Sequence, residues 1–381
     1  MTRFAVGHAA HATAATALER ALAMLDATCS RTPLVPTLGV AYVADTHAAA
    51  AEAIVQRLLQ RWPDVHWVGC AAMGVAAGGV EFFDEPGIVL MLGDLPRESF
   101  RVYSGAAPLA WAEADSALVH ADPATPDLDE LLHELAQRTG SGYLFGGLVS
   151  SRTRPLQFAG SVHEGGLSGV ALRDDVPIVS RVTQGCQPIG PQRTVTEADR
   201  NVVVALDGEP ALPLLLQDLQ VGSADDPRTL LPKLRATLVG LSDPDDPLLA
   251  RGGQFGTDTR VRHLVGLDPA RGAVAVGDLV EPGMRLAFCT RDPAAARRDL
   301  VRICAEIRDE AESVGRPLAG ALYASCTGRG GPHFGAPSAE LQIVRHALGD
   351  VPLAGFFAAG EIARHHLYGY TGVLTAFIGE R

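Results

Sequence analysis

Residues 65–93, VHWVGCAAMGVAAGGVEFFDEPGIVLMLG, align without gaps on residues 351–379, VPLAGFFAAGEIARHHLYGYTGVLTAFIG. Gly69 falls on Gly355, Gly74 on Gly360 and Gly93 on Gly379. Each segment follows an amphipathic helical pattern and closes on an apolar strand. GYLFGGLVSSR followed by GLSGVALR reads as a third, looser copy. Self-similarity on this scale restricts a chain to architectures built from related modules. It predicts two related halves with glycine-lined strand ends. Glycine there lets backbone approach a ligand or a neighbouring strand, although tight turns alone would use it too.

The 381 residues are too many for one ordinary core, which again argues for two domains. The expected division is 1–195 and 196–381, at the turn-rich GCQPIGP junction. A net charge of −12 makes nucleic acid and anionic membranes poor partners. No apolar run reaches the roughly 18 residues of a membrane span. The alanine-rich start is broken by His8, His11, Glu19 and Arg20, so it reads as strand and amphipathic helix instead of a leader. Six scattered cysteines without CxxC spacing argue against a disulfide framework or a cysteine zinc site. A cytoplasmic setting is expected.

Strand-like and helix-like stretches alternate along the chain. RFAVGHA precedes a helix marked by Leu18, Leu22 and Leu25, and TLGVAYVA precedes one marked by Ile54, Leu58 and Leu59. VVVALDGEPALPLLLQDL reads as strand, Asp-Gly turn and helix. VRHLVGLDPARGAVAVGD reads as a hairpin. AGALYASC leads through TGRGGPHFG to a helix through Leu341, Val344 and Leu348. Hairpins mixed with helices predict an α+β fold, two related layered halves of mixed β-sheet with flanking helices.

VGHAAH, HWVGCAAMGVAAGGVEFFDEP, TQGCQPIGP with VVALDGEPAL, ASCTGRG and VPLAGFFAAGEI with GYTGVLTAF occur in an order and spacing that resembles the FIST family. That family pairs a FIST N with a FIST C domain, and the resemblance covers nearly the whole chain. It implies an intracellular sensory module binding a small ligand, with amino acids proposed as ligands. Many members are fused to output domains; none is read here, so a separate signalling partner protein is implied.

A zwitterion needs donors for its carboxylate and a carboxylate for its amine. Arg329 in SCTGRGG and Arg152 in SSRTR are fork-shaped donors beside small-residue turns. Glu361, directly after a buried strand, is the candidate ammonium partner, and an ion pair with Arg329 is its structural alternative. Ser325 and Ser151 could add neutral hydrogen bonds. Tyr368 and Tyr370 could close an apolar wall, with the segment after Glu361 as a partial lid. Cys326, Cys70 and Gly74 complete the candidate ligand contacts at strand ends. Beside histidines 333, 365 and 366, Cys326 would suit a cysteine-dependent enzyme, but free cysteine is commonly a small buried hydrophobe. In an extended segment His365 and His366 would point to opposite faces, so they are not read as chelating one ion. No metal site and no cofactor are read from the sequence; haem-based gas sensing is a family-derived alternative. GVAAGG lacks the pattern of a phosphate loop.

Overall fold

The first module opens with β1 (Arg3–Ala10), α1 (Ala14–Arg31), β2 (Leu38–Ala44), α2 (Ala51–Arg61) and β3 (His66–Ala72). It ends with the hairpin β4 (Gly74–Ala77) and β5 (Val80–Phe83), then β6 (Gly87–Asp94). The computed structural model describes residues 3–31, 34–221, 227–244, 248, 255 and 259–380. In α2, Ala51, Ile54, Val55 and Leu58 form the buried stripe that helical periodicity requires. β2 is buried along its whole length, as suits a strand with one parallel neighbour and helices behind it. β6 lies between β1 and β2, antiparallel to both, and β2 runs parallel to β3.

The same pattern occurs three times. The second copy is β7 (Phe100–Tyr103), β8 (Ser116–Ala121), α3 (Leu128–Gln137), β9 (Tyr143–Leu148), the hairpin β10 (Gln157–Ala159) and β11 (Val162–His163), and β12 (Leu167–Leu172). The third copy opens with β13 (Ile178–Thr183). An inserted unit follows, with β14 (Cys186–Pro188), β15 (Arg193–Asp199), β16 (Val202–Leu206), β17 (Glu209–Pro210), α4 (Ala211–Asp218) and α5 (Pro227–Ala236). It continues with β18 (Thr237–Ser242), β19 (Arg260–Asp268), β20 (Ala273–Val276) and β21 (Arg285–Arg291), and α6 (Pro293–Ser313) comes next. The third copy then resumes with β22 (Leu318–Cys326), α7 (Ala339–Leu348), β23 (Leu353–Ala358), the hairpin β24 (Glu361–Ala363) and β25 (His366–Tyr368), and β26 (Gly372–Ile378).

Each copy builds a four-stranded sheet and lends its hairpin to another. β4–β5 extends the third copy beside β23, β10–β11 extends the first beside β3, and β24–β25 extends the second beside β9. The exchange is cyclic, so every six-stranded sheet is completed by a neighbour's hairpin. Gly69 and Gly146, at φ +148° and +136°, and Gly355 occupy the same register position in the three parallel pairs. A Cβ there would stand 1.8, 2.1 and 2.5 Å from the carbonyl oxygens of Ala41, Val119 and Tyr323. The glycines therefore serve close strand-to-strand approach. Tyr42 and His120, which follow Ala41 and Val119, and Phe356, which follows Gly355, meet at ring separations of 4.9 to 5.6 Å in the shared core.

By compactness the chain groups otherwise than by the expected division at 195/196. Met1–Thr183 and Arg297–Arg381 form one unit and Gln184–Ala296 another. The topology gives the reason. α1 joins the first two strands of the first copy, a short irregular segment does so in the second, and the insertion followed by α6 occupies that place in the third. Within the insertion, β21, β15, β16, β20, β19 and β18 pair in turn, and β18 returns to β21, closing an antiparallel barrel. Val195, Val203, Val239 and Phe288 belong to its core. The expected hairpin is β19–β20, and the Asp-Gly turn is Asp207–Gly208, both at positive φ. With 27% helix and 41% strand in mixed sheets with flanking helices, the fold class is α+β.

Candidate functional site

The C-terminal end of β22 carries two chemistries, one on each face, because side chains alternate along a strand. Tyr323 and Ser325 turn towards α7. There the Tyr323 hydroxyl donates to Glu340 Oε1 at 2.7 Å and Ser325 Oγ to Glu340 Oε2 at 2.9 Å. The chain then folds back on itself: Arg329 N–H donates to the Cys326 carbonyl, and Arg329 Nε to Glu340 Oε1 at 2.8 Å. Arg329 Nη2 lies 2.7 Å from the same oxygen, and both residues are 1% exposed. The guanidinium also stands 5.1 Å from the centre of the Phe334 ring. Neither Nη1 nor Nη2 has a hydrogen-bond partner among the described residues.

Cys326 occupies the other face. Its sulfur accepts from Tyr370 N–H at 3.3 Å, and its thiol supports the Glu361 carboxyl. Glu361 is fully buried. Its Oε2 accepts from Thr371 N–H at 3.1 Å and from Thr371 Oγ1 at 2.7 Å, whereas Oε1 has no partner among the described residues. Burial raises this carboxyl to about 8 against the opposing effects of Thr371, Arg329 and Cys326. It is therefore largely protonated at neutral pH. The Cys326 thiol is likewise pushed far up, by burial first and then by Glu361.

A third carboxyl completes the cluster. Glu81 on β5 accepts from Leu341 N–H at 3.1 Å, at the start of α7, and its own N–H donates to Ser338 Oγ. Burial raises Glu81 to about 7; its helix amide bonds and Arg329 oppose the rise, and Glu340 adds to it. Glu81 reaches a cavity of about 280 Å³ lined by Phe83, Glu85, Gly331, Pro337 and Ser338 as well. Phe83 packs on Gly330, where a Cβ would lie 2.1 Å from its ring, and T-stacks on Phe357 at 4.8 Å. The 326–331 loop and the β4–β5 hairpin thus meet on one side of the fold.

The structure brings Arg329, Cys326, Ser325, Glu361 and Tyr370 together, with the Tyr370 ring against Gly328. The alternative of an Arg329–Glu361 ion pair does not hold, since Glu340 is the guanidinium's partner. Glu340 and Glu81 went unread. The signal for Glu340 was its place four and eight residues before Val344 and Leu348, a carboxylate on an apolar stripe.

The remaining candidates lie elsewhere. Arg152 clamps two loops, with Nε 2.7 Å from Asp45 Oδ2 and Nη1 2.6 Å from Asp84 Oδ1. Ser151 contacts Thr153. Cys70 is buried in the core, paired in register with Gln157. Gly74 starts β4 against the Phe357 ring. Tyr368 is buried opposite Glu361, and the expected lid is the hairpin β24–β25, hydrogen-bonded onto β9. His365 and His366 do not point apart. A turn with Arg364 at φ +56° sets their rings 4.0 Å from each other, and His133 lies 5.3 Å from His365.

Two family models match the chain. The model of the FIST N domain matches residues 37–209 and that of the FIST C domain residues 211–364. An uncharacterized protein of Mycobacterium tuberculosis is 34% identical over 361 residues, 90% of this chain and 91% of the relative. One of Mycobacterium bovis is 33% identical over 365 residues, 91% of each.

Proposed function

Because the chain belongs to the FIST family, whose domains are associated with sensory and signal-transduction roles, we propose that it is a cytoplasmic sensor of a small amine-bearing metabolite, an amino acid foremost. The observation that supports this reading is a charge imbalance. Glu361 keeps its proton and Arg329 is taken by Glu340, which leaves the buried Glu81, at the cavity, without an ion-pair partner among the described residues. An ammonium group placed beside Glu81 would supply the missing positive charge where desolvation makes it most effective. Glu85 at the rim adds attraction for a cation. The volume of about 280 Å³ is at the small end for ligand sites and suits a molecule of amino-acid size.

The same residues connect binding to the fold. Glu81 holds the first turn of α7, and α7 carries Glu340, the partner of Arg329, Tyr323 and Ser325. A ligand that draws on Glu81 changes the charge seen by this whole network. That is a route by which occupancy could reach a separate signalling partner protein. The alternative of cysteine chemistry at Cys326 has less support, because burial and Glu361 keep its thiol protonated.

The test is calorimetric titration of the full chain with a panel of amino acids and simple amines near pH 7. Binding by at least one of them is expected, together with loss of that binding in Glu81→Gln while the fold is retained. Binding of carboxylic acids without amines, or unchanged amine binding in Glu81→Gln, would overturn the assignment.

A further inference from the structure

A second cavity, of about 400 Å³, lies on the other side of the β5–α7 wall. Val6 and His8 of β1, Thr28 of α1, Val80 of β5 and Val344 and Arg345 of α7 line it. β1 is an edge strand, so this side of its sheet is closed by helices and the β4–β5 turn and not by another strand. Gly79, at φ +91°, lets the turn approach closely: a Cβ there would stand 2.8 Å from Cδ of Arg345. The Arg345 charge is already spent on Asp350, with Nε 2.9 Å from Oδ1. The half-buried His8 imidazole has no hydrogen bond among the described residues, and its ring neighbour is Phe82 at 5.6 Å. An imidazole with one donor and one acceptor nitrogen thus faces a space lined largely by apolar side chains, with Thr28 and the Arg345–Asp350 ion pair also on its wall.

We propose that this cavity is a second ligand site, for a small, uncharged, largely apolar molecule with one hydroxyl or N–H group that hydrogen-bonds to His8. The class follows from the lining. Val6, Val80, Val344, Leu348 and Leu353 offer dispersion and hydrophobic burial to an aromatic or aliphatic body. A charged ligand would find at this wall only Arg345 and Asp350, whose opposite charges already answer each other. His8 itself is held neutral by burial, which keeps one ring nitrogen as an acceptor. The site stands apart from the acidic one, and neither reading depends on the other.

The probes are p-cresol and toluene, which differ by the hydroxyl, titrated into the full chain by calorimetry. p-Cresol is expected to bind at one site per chain about three- to tenfold more tightly than toluene, the worth of one net hydrogen bond. His8→Leu is expected to remove that preference and to retain toluene binding. Val344→Trp fills the cavity and should abolish binding of both. Since Val344 is buried, Thr28→Trp at the half-exposed wall is the second filling variant. Absence of p-cresol binding, unchanged affinity in a folded tryptophan variant, or a preserved p-cresol preference in His8→Leu would each overturn the proposal. Glu81→Gln should leave p-cresol binding intact, which separates failure here from failure at the acidic site.

Discussion

Replacing Glu361 by glutamine keeps the shape of the side chain and removes its titration, so it isolates the effect of a buried carboxyl on stability. In the folded protein this group holds its proton up to about 8, whereas the unfolded chain releases it near 4.5. Between those values the unfolded state binds fewer protons than the folded one, so stability falls as pH rises through this window and levels off above it. At about 1.4 kcal/mol per pH unit, the whole window is worth about 5 kcal/mol, of which about 4 falls between pH 5 and 9. The assay is urea unfolding of the wild-type protein and Glu361→Gln at pH 5, 7 and 9, at constant ionic strength. Other titrating groups, Glu81 among them, contribute to both curves and cancel in the difference. Any fixed cost of placing an amide beside Thr371 shifts the mutant equally at every pH. The gap between the two curves should therefore move by about 4 kcal/mol in favour of the mutant from pH 5 to pH 9. Parallel curves would refute the reasoning and mean that Glu361 is solvated or paired in a way its surroundings do not show.

Arg329→Met leaves Glu340 buried without its guanidinium, and a loss of about 3–5 kcal/mol is expected in chemical denaturation. An ammonium ligand beside Glu81 would draw its proton affinity down from about 7, so binding at pH 7 should release about half a proton, read as a buffer-dependent calorimetric enthalpy. Cys326→Ser is expected to cost about 1 kcal/mol and to spare ligand binding, and the native thiol should react slowly with iodoacetamide; rapid selective alkylation would count for a catalytic cysteine. Gly69→Ala forces a Cβ to 1.8 Å from the Ala41 carbonyl at φ +148°, and a melting point markedly below that of Gly78→Ala, where the space is open, is expected.

Local patterning carried much of the fold. The all-buried β2, the stripe of α2 and the Asp207–Gly208 turn are each determined by neighbours in sequence, and each was legible there. The repeat was visible as glycines at constant spacing, because Gly69, Gly146 and Gly355 meet the same carbonyl clash. What stayed hidden was long-range. Each hairpin sits in another module's sheet, and nothing within GVAAGGVEFF says that it pairs with β23, more than 250 residues away. The charged cluster was half legible for the same reason. Arg329 and Glu361 stood out beside apolar strands, but Glu340 comes from α7 and Glu81 from the hairpin that the first copy lends.

The cyclic exchange also explains why the site is in one place when the architecture offers three. Val75, Gln157 and Glu361 hold equivalent positions, each the hairpin residue opposite the one that follows the conserved-register glycine, here Phe356, Cys70 and Gly147. Val75 needs no partner. Gln157 gives its whole amide to the chain, accepting from Ser168 Oγ and donating towards the carbonyls of Gly165 and Gly166, so it ties its hairpin to the next strand. Glu361 ties its hairpin through Thr371 in the same way with Oε2, and its Oε1 has no hydrogen-bond partner among the described residues. Glutamine would satisfy the structural role at this position, as it does in the second copy. A carboxyl that costs stability at neutral pH is unnecessary for folding, and it sits in the copy that also holds Arg329 and Glu340. The difference between the copies therefore separates scaffold from site: Gln157 shows what the position needs for folding, and the titratable carboxyl of Glu361 is the part that folding leaves unexplained.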